Sequence, residues 1–328
     1  MNNFHLDIPH VRRNFSRAAG SYEQHDVLQR EVQQLLLERL TFYLGTPERI
    51  VDIGAGTGRG TALLKARYPK AEVIAIDSAV PMLHAARHHS TWRKPFLRVC
   101  GTASTLPLAD HSVDILHSNL CFQWIVDLQS LFAECVRLLK PGGMLVFSSL
   151  GPDTLQELRA AWAQADQLSH VGRFLDMHDV GDEVLAAGLR DPVLDVQRYS
   201  LTYSTPRKLL DELRGLGATN ADHARSRGLT GKHRYQRMLA AYEGMRVDGR
   251  IPAMCEVVTA HAWGPPAGQA RRTGGVEIAS FYVDSLRGSR RQRCGDEIKN
   301  DRQLAASQPT PYARSGSIGG IARIMRHG

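Results

Sequence analysis

No apolar run in the chain approaches the roughly 20 residues that cross a bilayer, so no membrane span is expected. The first fifteen residues, MNNFHLDIPHVRRNF, hold no continuous apolar core of the kind a secretory signal carries. Cysteine is sparse: Cys100, Cys121, Cys135, Cys255 and Cys294 are scattered, odd in number and free of any C-x-x-C pair. That argues against a disulfide frame or a cysteine zinc site and reads as free thiols in a reducing cytoplasm. A G-x-S-x-G elbow is missing around Ser148-Ser149, which speaks against a hydrolase. His84, His88 and His89 share a helical face without an acidic or cysteine partner beside them, so they read as a solvated face and no metal is expected. The arginine-rich tail has no aromatics beyond Tyr312, which argues against nucleic acid as its partner.

What is present is ordinary in bulk. The 328 residues are 43% hydrophobic and 23% charged, enough for one large or two modest domains. The formal net charge of +8 is concentrated in Arg207 to Arg250 and in the tail beyond Arg287, which points to an acidic partner.

Residues 9–44 read as two helices broken at Gly20-Ser21, with Pro9 in a first turn and Val27, Leu28, Val32, Leu35, Leu36, Leu37 and Leu40 at helical spacing. Strands are expected at Val51 to Ile53, Glu72 to Asp77, Phe96 to Val99, Val113 to His117 and Met144 to Ser148. Helices begin at Thr61 and span Pro81 to His89 and Leu128 to Leu139, the last stopped by Lys140-Pro141-Gly142-Gly143. This alternation predicts an α/β fold with a doubly wound, mostly parallel sheet. Val193 to Tyr203 and Met254 to His261 bring the strands to seven. Between them, Pro206 to Leu213 (N-cap Thr205) and Lys232 to Tyr242 form an inserted helical lid at about 205–250. The expected division is a helical cap at 1–45, the sheet domain at 46–265 and a mostly disordered basic tail at 266–328.

The stretch IVDIGAGTGRG places Gly54, Gly56, Gly58 and Gly60 directly after an apolar run that contains Asp52. A nicotinamide loop would read G-x-G-x-x-G, whereas here Arg59 stands at the third glycine position. Asp52 would repel a pyrophosphate but suits an ammonium group. S-adenosylmethionine has an ammonium and a sulfonium and no phosphate, so charge favours it. Asp77, closing the second strand, can accept from both ribose hydroxyls. Gly101-Thr102-Ala103 falls at the adenine edge and Asn119 covers the reactive side.

Together VDIGAGTGRG, VIAIDSAVPML, LPLADHSVDILHSN and LLKPGGMLVFSS resemble the class I S-adenosylmethionine-dependent methyltransferases, whose fold is Rossmann-like. The flanks FSRAAGSYEQHDVLQREV, SNLCFQW, LGPDTLQELRAAW, GRFLDMHDV and LRGLGATNA are similar to the malonyl-[acyl-carrier protein] O-methyltransferases of biotin synthesis over about residues 10–265. The resemblance implies S-adenosylmethionine as cofactor, held by Asp52, Gly54, Gly56, Gly58, Asp77, Ser78, Met82, Thr102, Ala103 and Asn119. Thr102 departs from the aspartate that many relatives carry. It further implies a malonyl carboxylate as acceptor. A carboxylate is ionised at pH 7 and needs no general base, which fits the absence of a His–Asp constellation near the motifs. Tyr22 and Arg173 are the candidates to orient it, and Gln123 and Trp124 to wall its pocket. Arg225, Arg227, Lys232 and Arg234, with Arg207, Lys208 and Arg237, are the candidates to dock an acidic carrier protein. A small carboxylic acid or quinone precursor is the alternative acceptor; a nucleic-acid-binding or regulatory protein using the cofactor only as ligand is the rival class.

Overall fold

The computed structural model describes residues 5–226 and 228–266, with the short strands Arg271–Thr273 and Val276–Ile278. Arg227 and the tail beyond Arg287 lie outside them. The first five strands are β1 (Arg49–Ile53), β2 (Glu72–Asp77), β3 (Leu97–Cys100), β4 (Val113–Ser118) and β5 (Leu139–Leu150). They pair in parallel, and β6 (Arg190–Tyr203) and β7 (Ile251–Trp263) complete the sheet antiparallel. The order is β3-β2-β1-β4-β5-β7-β6, so the chain reverses direction across the sheet between β1 and β4.

Alternation along each strand explains why both faces are covered. Val51, Ile53, Ile74, Ile76, Leu145 and Phe147 pack on one face with Leu131 and Phe132 of α5 (Leu128–Leu138) and Val180 and Val184 of α7 (Met177–Ala186). Ile50, Val73, Ala75, Met144 and Val146 pack on the other. There they meet Val32 and Leu36 of α2 (Val27–Arg39), Leu64 of α3 (Arg59–Arg67) and Leu83 of α4 (Val80–Ala85).

Several boundaries differ from the sequence reading. β5 begins at Leu139 rather than Met144, because the K-P-G-G segment pairs on beyond β7: Gly142 N donates to Gly264 O at 3.2 Å and Gly264 N to Gly143 O at 2.7 Å. α7 and α6 (Gln156–Ala163) stand where no element was expected. In the tail, β8 (Arg271–Thr273) and β9 (Val276–Ile278) pair antiparallel where disorder was expected.

The inserted segment carries α8 (Pro206–Gly215) and α9 (Lys232–Glu243). Thr205 caps α8, accepting from Lys208 N. Leu209, Met238 and Tyr242 share a satellite core with Leu158 and Trp162 of α6 and Tyr203 and Ile251 at the strand ends. The segment also clasps α1 (Ile8–Ala18). Asn14 Nδ2 donates to Thr219 Oγ1 at 2.7 Å, Ser21 Oγ to Gly215 O at 2.9 Å and Asp7 N to Ala221 O at 2.9 Å. At Gly215 a Cβ would sit 2.1 Å from the His25 ring, so the close approach requires glycine there.

Candidate active site

The loop after β1 lies at the carboxyl end of the sheet, at the switch point where ligands bind in such folds. Two of its glycines have separate jobs. Gly54 (φ +72°) packs so closely on Cys121 that a Cβ would fall 2.3 Å from Sγ. Gly56 (φ +55°) would aim a Cβ at no protein atom within 4 Å, leaving room for something else. Gly58 belongs to packing: its Cβ would meet Ala86 at 2.7 Å, and it lines none of the hollows described below.

Around this loop is a cavity of about 350 Å³ that brings together Tyr22, Gly54, Gly56, Asp77, Ser78, Met82, Thr102, Ala103, Asn119 and Trp124. Asp77 accepts from Gly56 N (2.9 Å, Oδ2) and Ala79 N (2.7 Å, Oδ1). Burial pushes its pKa up, against those backbone donors. A smaller hollow of about 50 Å³ shares Tyr22, Gly54, Gly56 and Asn119 with it and is lined by Asp52 and Gln29. Gln29 Oε1 is buried there without a hydrogen-bond partner. Asn119 is fixed: Nδ2 donates to Gln29 O at 2.8 Å, and Oδ1 accepts from Ser148 Oγ at 2.9 Å.

Asp52 is held from beneath. His117 Nδ1 donates to Oδ1 at 2.8 Å, Thr61 Oγ1 to Oδ2 at 2.5 Å, and Gln33 Nε2 donates to His117 Nε2 at 3.1 Å, which fixes the tautomer. A His–Asp pair is therefore present after all. His117 is 0% exposed and orients the acid rather than facing the cavity. Arg59, where a dinucleotide loop would have glycine, binds Glu23 Oε2 at 3.0 Å and Asp26 Oδ2 at 3.1 Å. It thereby ties the loop to the one-turn helix Tyr22–Gln24. His89 donates to Glu23 Oε1 at 2.6 Å, so it has an acidic partner that lies 66 residues away in sequence. Burial works against the Glu23 carboxylate, but His89, Thr57 and Arg59 hold its pKa below the usual range.

The cover over the cavity is α1 and the Tyr22 turn, not the inserted helices. Ile8, Val11, Arg12 and Phe15 line it, at the i, i+3, i+4, i+7 positions of one helix face. No described residue of 205–250 does so. Arg12 was missed in the sequence, and its place in that stripe is the signal for it. Phe15 stacks edge-on to Trp124 at 5.4 Å. Burial, then the Asp26 and Asp77 carboxylates, push the Tyr22 phenol well above its ordinary pKa, so it remains a protonated donor. Burial pushes the Cys121 thiol up to about 12.

Five expected site residues fall elsewhere. Arg173 is exposed, and with Gln123 it lines an adjoining hollow instead of the loop cavity. Arg225 is no free docking cation: it pairs with Asp7 Oδ2 at 2.8 Å, and its side chain is 14% exposed. Lys232 is exposed, and Arg234 is half exposed, 3.8 Å from Asp166 Oδ2. Among the described residues no cluster of three or more His, Cys, Asp or Glu could hold a metal, and no helix is long and apolar enough to cross a membrane.

Residues 51–147 match the family described as "Methyltransferase domain". The chain is 48% identical over 284 residues to a malonyl-[acyl-carrier protein] O-methyltransferase of Xylella fastidiosa, covering 86% of this chain and 96% of that protein. It belongs to the malonyl-[acyl-carrier protein] O-methyltransferase family. A second member, from Gallionella capsiferriformans, is 44% identical, over 86% and 99% of the two chains. Among solved structures, the YcgJ protein of Bacillus subtilis matches with a TM-score of 0.50 at 16% identity, over 71% of this chain and 98% of that one. That match shows the fold alone, the class I methyltransferase arrangement. The donor set fits S-adenosylmethionine in this family member: carboxylates at Asp77 and Asp52, an open Gly56 and the unpartnered Gln29 Oε1 beside Asp52.

Proposed function

We propose that this chain transfers a methyl group from S-adenosylmethionine to the free carboxylate of a malonyl thioester on acyl-carrier protein. The methyl ester made would serve the pimeloyl part of biotin. One observation carries the reading: in a chain so similar to malonyl-carrier methyltransferases, Gly54, Gly56, Asp77 and Tyr22 converge on one cavity. When bound, S-adenosylmethionine supplies a methyl on a cationic sulfur, which passes to the acceptor oxygen as the carbon–sulfur bond breaks to leave S-adenosylhomocysteine. Alignment is the chain's contribution, worth several kcal/mol when reacting atoms are held about 3–3.5 Å apart. Tyr22 donates its phenol hydrogen to the acceptor. Arg12, the arginine lining the cavity, takes the carboxylate charge in place of Arg173. α1 and Trp124 keep water out, and Cys121 stays protonated and so does not compete for the methyl. A cytoplasmic setting follows from the carrier substrate.

The test is a methyl-transfer assay offering malonyl-carrier protein, malonyl-coenzyme A and free malonate. Methyl ester on malonyl-carrier protein is expected. Transfer to a small carboxylic acid or quinone precursor, with malonyl-carrier protein inert, overturns the reading.

A further inference from the structure

We propose that the prosthetic arm of the carrier reaches the cavity past Gln123, and that Arg159 and Arg173 hold the arm's phosphodiester outside; the inference rests on the malonyl-carrier reading above. Three hollows lie side by side. The loop cavity of about 350 Å³ shares Ile125 and Val126 with a neck of about 30 Å³. The neck shares Arg173 and Phe174 with an outer groove of about 550 Å³.

The neck lacks a donor. Gln123 Nε2 donates to Leu120 O at 2.7 Å, which fixes the amide, and Oε1 is left buried without a partner. Such a group costs about 1–3 kcal/mol unless a ligand satisfies it. A pantetheine arm is thin enough for a narrow neck and carries two amide N–H groups, either of which can supply that bond.

In the outer groove it is the two arginines that lack an anion. Arg159 is partly buried, yet its guanidinium donates only to carbonyls, of Pro152 at 3.2 Å and of Thr154 and Gly172 at 3.3 Å. The nearby acid Asp153 pairs with Arg198 at 3.0 Å instead. Arg173 is exposed and makes no hydrogen bond or ion pair with a described residue. Asp166, also in the groove, accepts from His170 at 2.8 Å. Two guanidiniums without a carboxylate of their own suit a phosphodiester, whose oxygens accept paired N–H bonds. The neck separates them from the loop cavity, which assigns them the arm's phosphate rather than the malonyl carboxylate.

The experiment measures binding of two probes that differ only in the phosphate, malonyl-4′-phosphopantetheine and malonyl-pantetheine, by calorimetry on the full chain. The wild type is expected to bind the phosphorylated probe about tenfold more tightly, one charge-assisted contact in magnitude. Arg173→Gln should bring that ratio close to one, as should Arg159→Lys. Gln123→Met should weaken both probes equally, by about three- to tenfold. Arg159 also ties three backbone carbonyls, so if its variant loses the wild-type melting transition, exposed Arg173 decides alone. A wild-type ratio of one, or a ratio preserved in Arg173→Gln, overturns the proposal. Methyl ester formation without the ratio sinks the passage and spares the reaction; the ratio without ester formation supports the passage and sinks the reaction.

Discussion

At the scale of single residues, the glycine loop separates fold from ligand. Gly54→Ala forces a Cβ onto Cys121 in a left-handed conformation and should destabilise the protein by about 2–3 kcal/mol, seen as a lowered melting temperature. The Cβ of Gly56→Asp meets no protein atom within 4 Å, and aspartate tolerates a left-handed backbone. It sets a carboxylate beside Asp77 inside the cavity. The fold should survive while S-adenosylmethionine affinity drops by about a hundredfold or more in calorimetry; unchanged affinity in the folded variant would remove the cofactor assignment. Tyr22→Phe loses one hydroxyl and nothing else. If the phenol acts on the acceptor as proposed, turnover should fall at least about tenfold, with cofactor affinity within about twofold. Normal turnover would leave Tyr22 a packing residue under α1.

At the scale of elements, the N-terminal helix is held by a segment some 200 residues away, and its own cap takes part. Asp7 Oδ1 caps α1 by accepting from His10 N at 2.9 Å while Oδ2 accepts from Arg225. The hydrogen bond from Arg225, then that from His10, lowers the Asp7 pKa to about 2 from 3.8. A carboxyl depressed in the folded state adds stability that is complete above its unfolded pKa and disappears as pH falls through the folded one. The melting-temperature gap between wild type and Asp7→Asn should therefore be present at pH 6, shrink between about pH 4 and 2, and close below that. A gap that persists in acid would trace Asp7's effect to something other than its charge. This clasp also marks where the sequence stops being legible. β1, β2, β4 and β5 could be read because alternation is local, and the loop because glycine spacing is local. The break at Gly20-Ser21 was visible for the same reason. The grip of Thr219 and Ala221 on α1, the His89–Glu23 pair and the burial of His117 under Asp52 join residues from 65 to more than 200 positions apart, which no periodicity encodes. LRGLGATNA was legible only as a family flank; its reason is that Gly215 must clear His25.

At the scale of the whole molecule, charge and architecture converge on the outer groove. The net charge of +8, concentrated in Arg207 to Arg250 and the tail, predicted an acidic partner docking on the inserted segment. With Arg225 tied to Asp7, the expected docking cations left near the groove, beside Arg159 and Arg173 that line it, are those of α9. Arg234 stands 3.8 Å from Asp166 at its wall, Arg237 Nη2 donates to Ala165 O at 2.7 Å, and Lys232 is exposed at the helix start. A carrier protein docking there would present its arm to the groove, and opposite charges would act mainly on the association rate. Reversing Lys232 and Arg234 to Glu should raise the apparent KM for malonyl-carrier protein about tenfold or more, while malonyl-pantetheine, which has no protein surface, keeps its KM within about twofold. Salt should weaken the wild type toward the variant, since exposed charges are screened over about 8–10 Å at physiological ionic strength. Salt-sensitive binding to the carrier but not to RNA would also set aside a nucleic-acid partner. Equal losses on both substrates would mean that α9 acts through the satellite core it shares with α6, and that the carrier docks on another face.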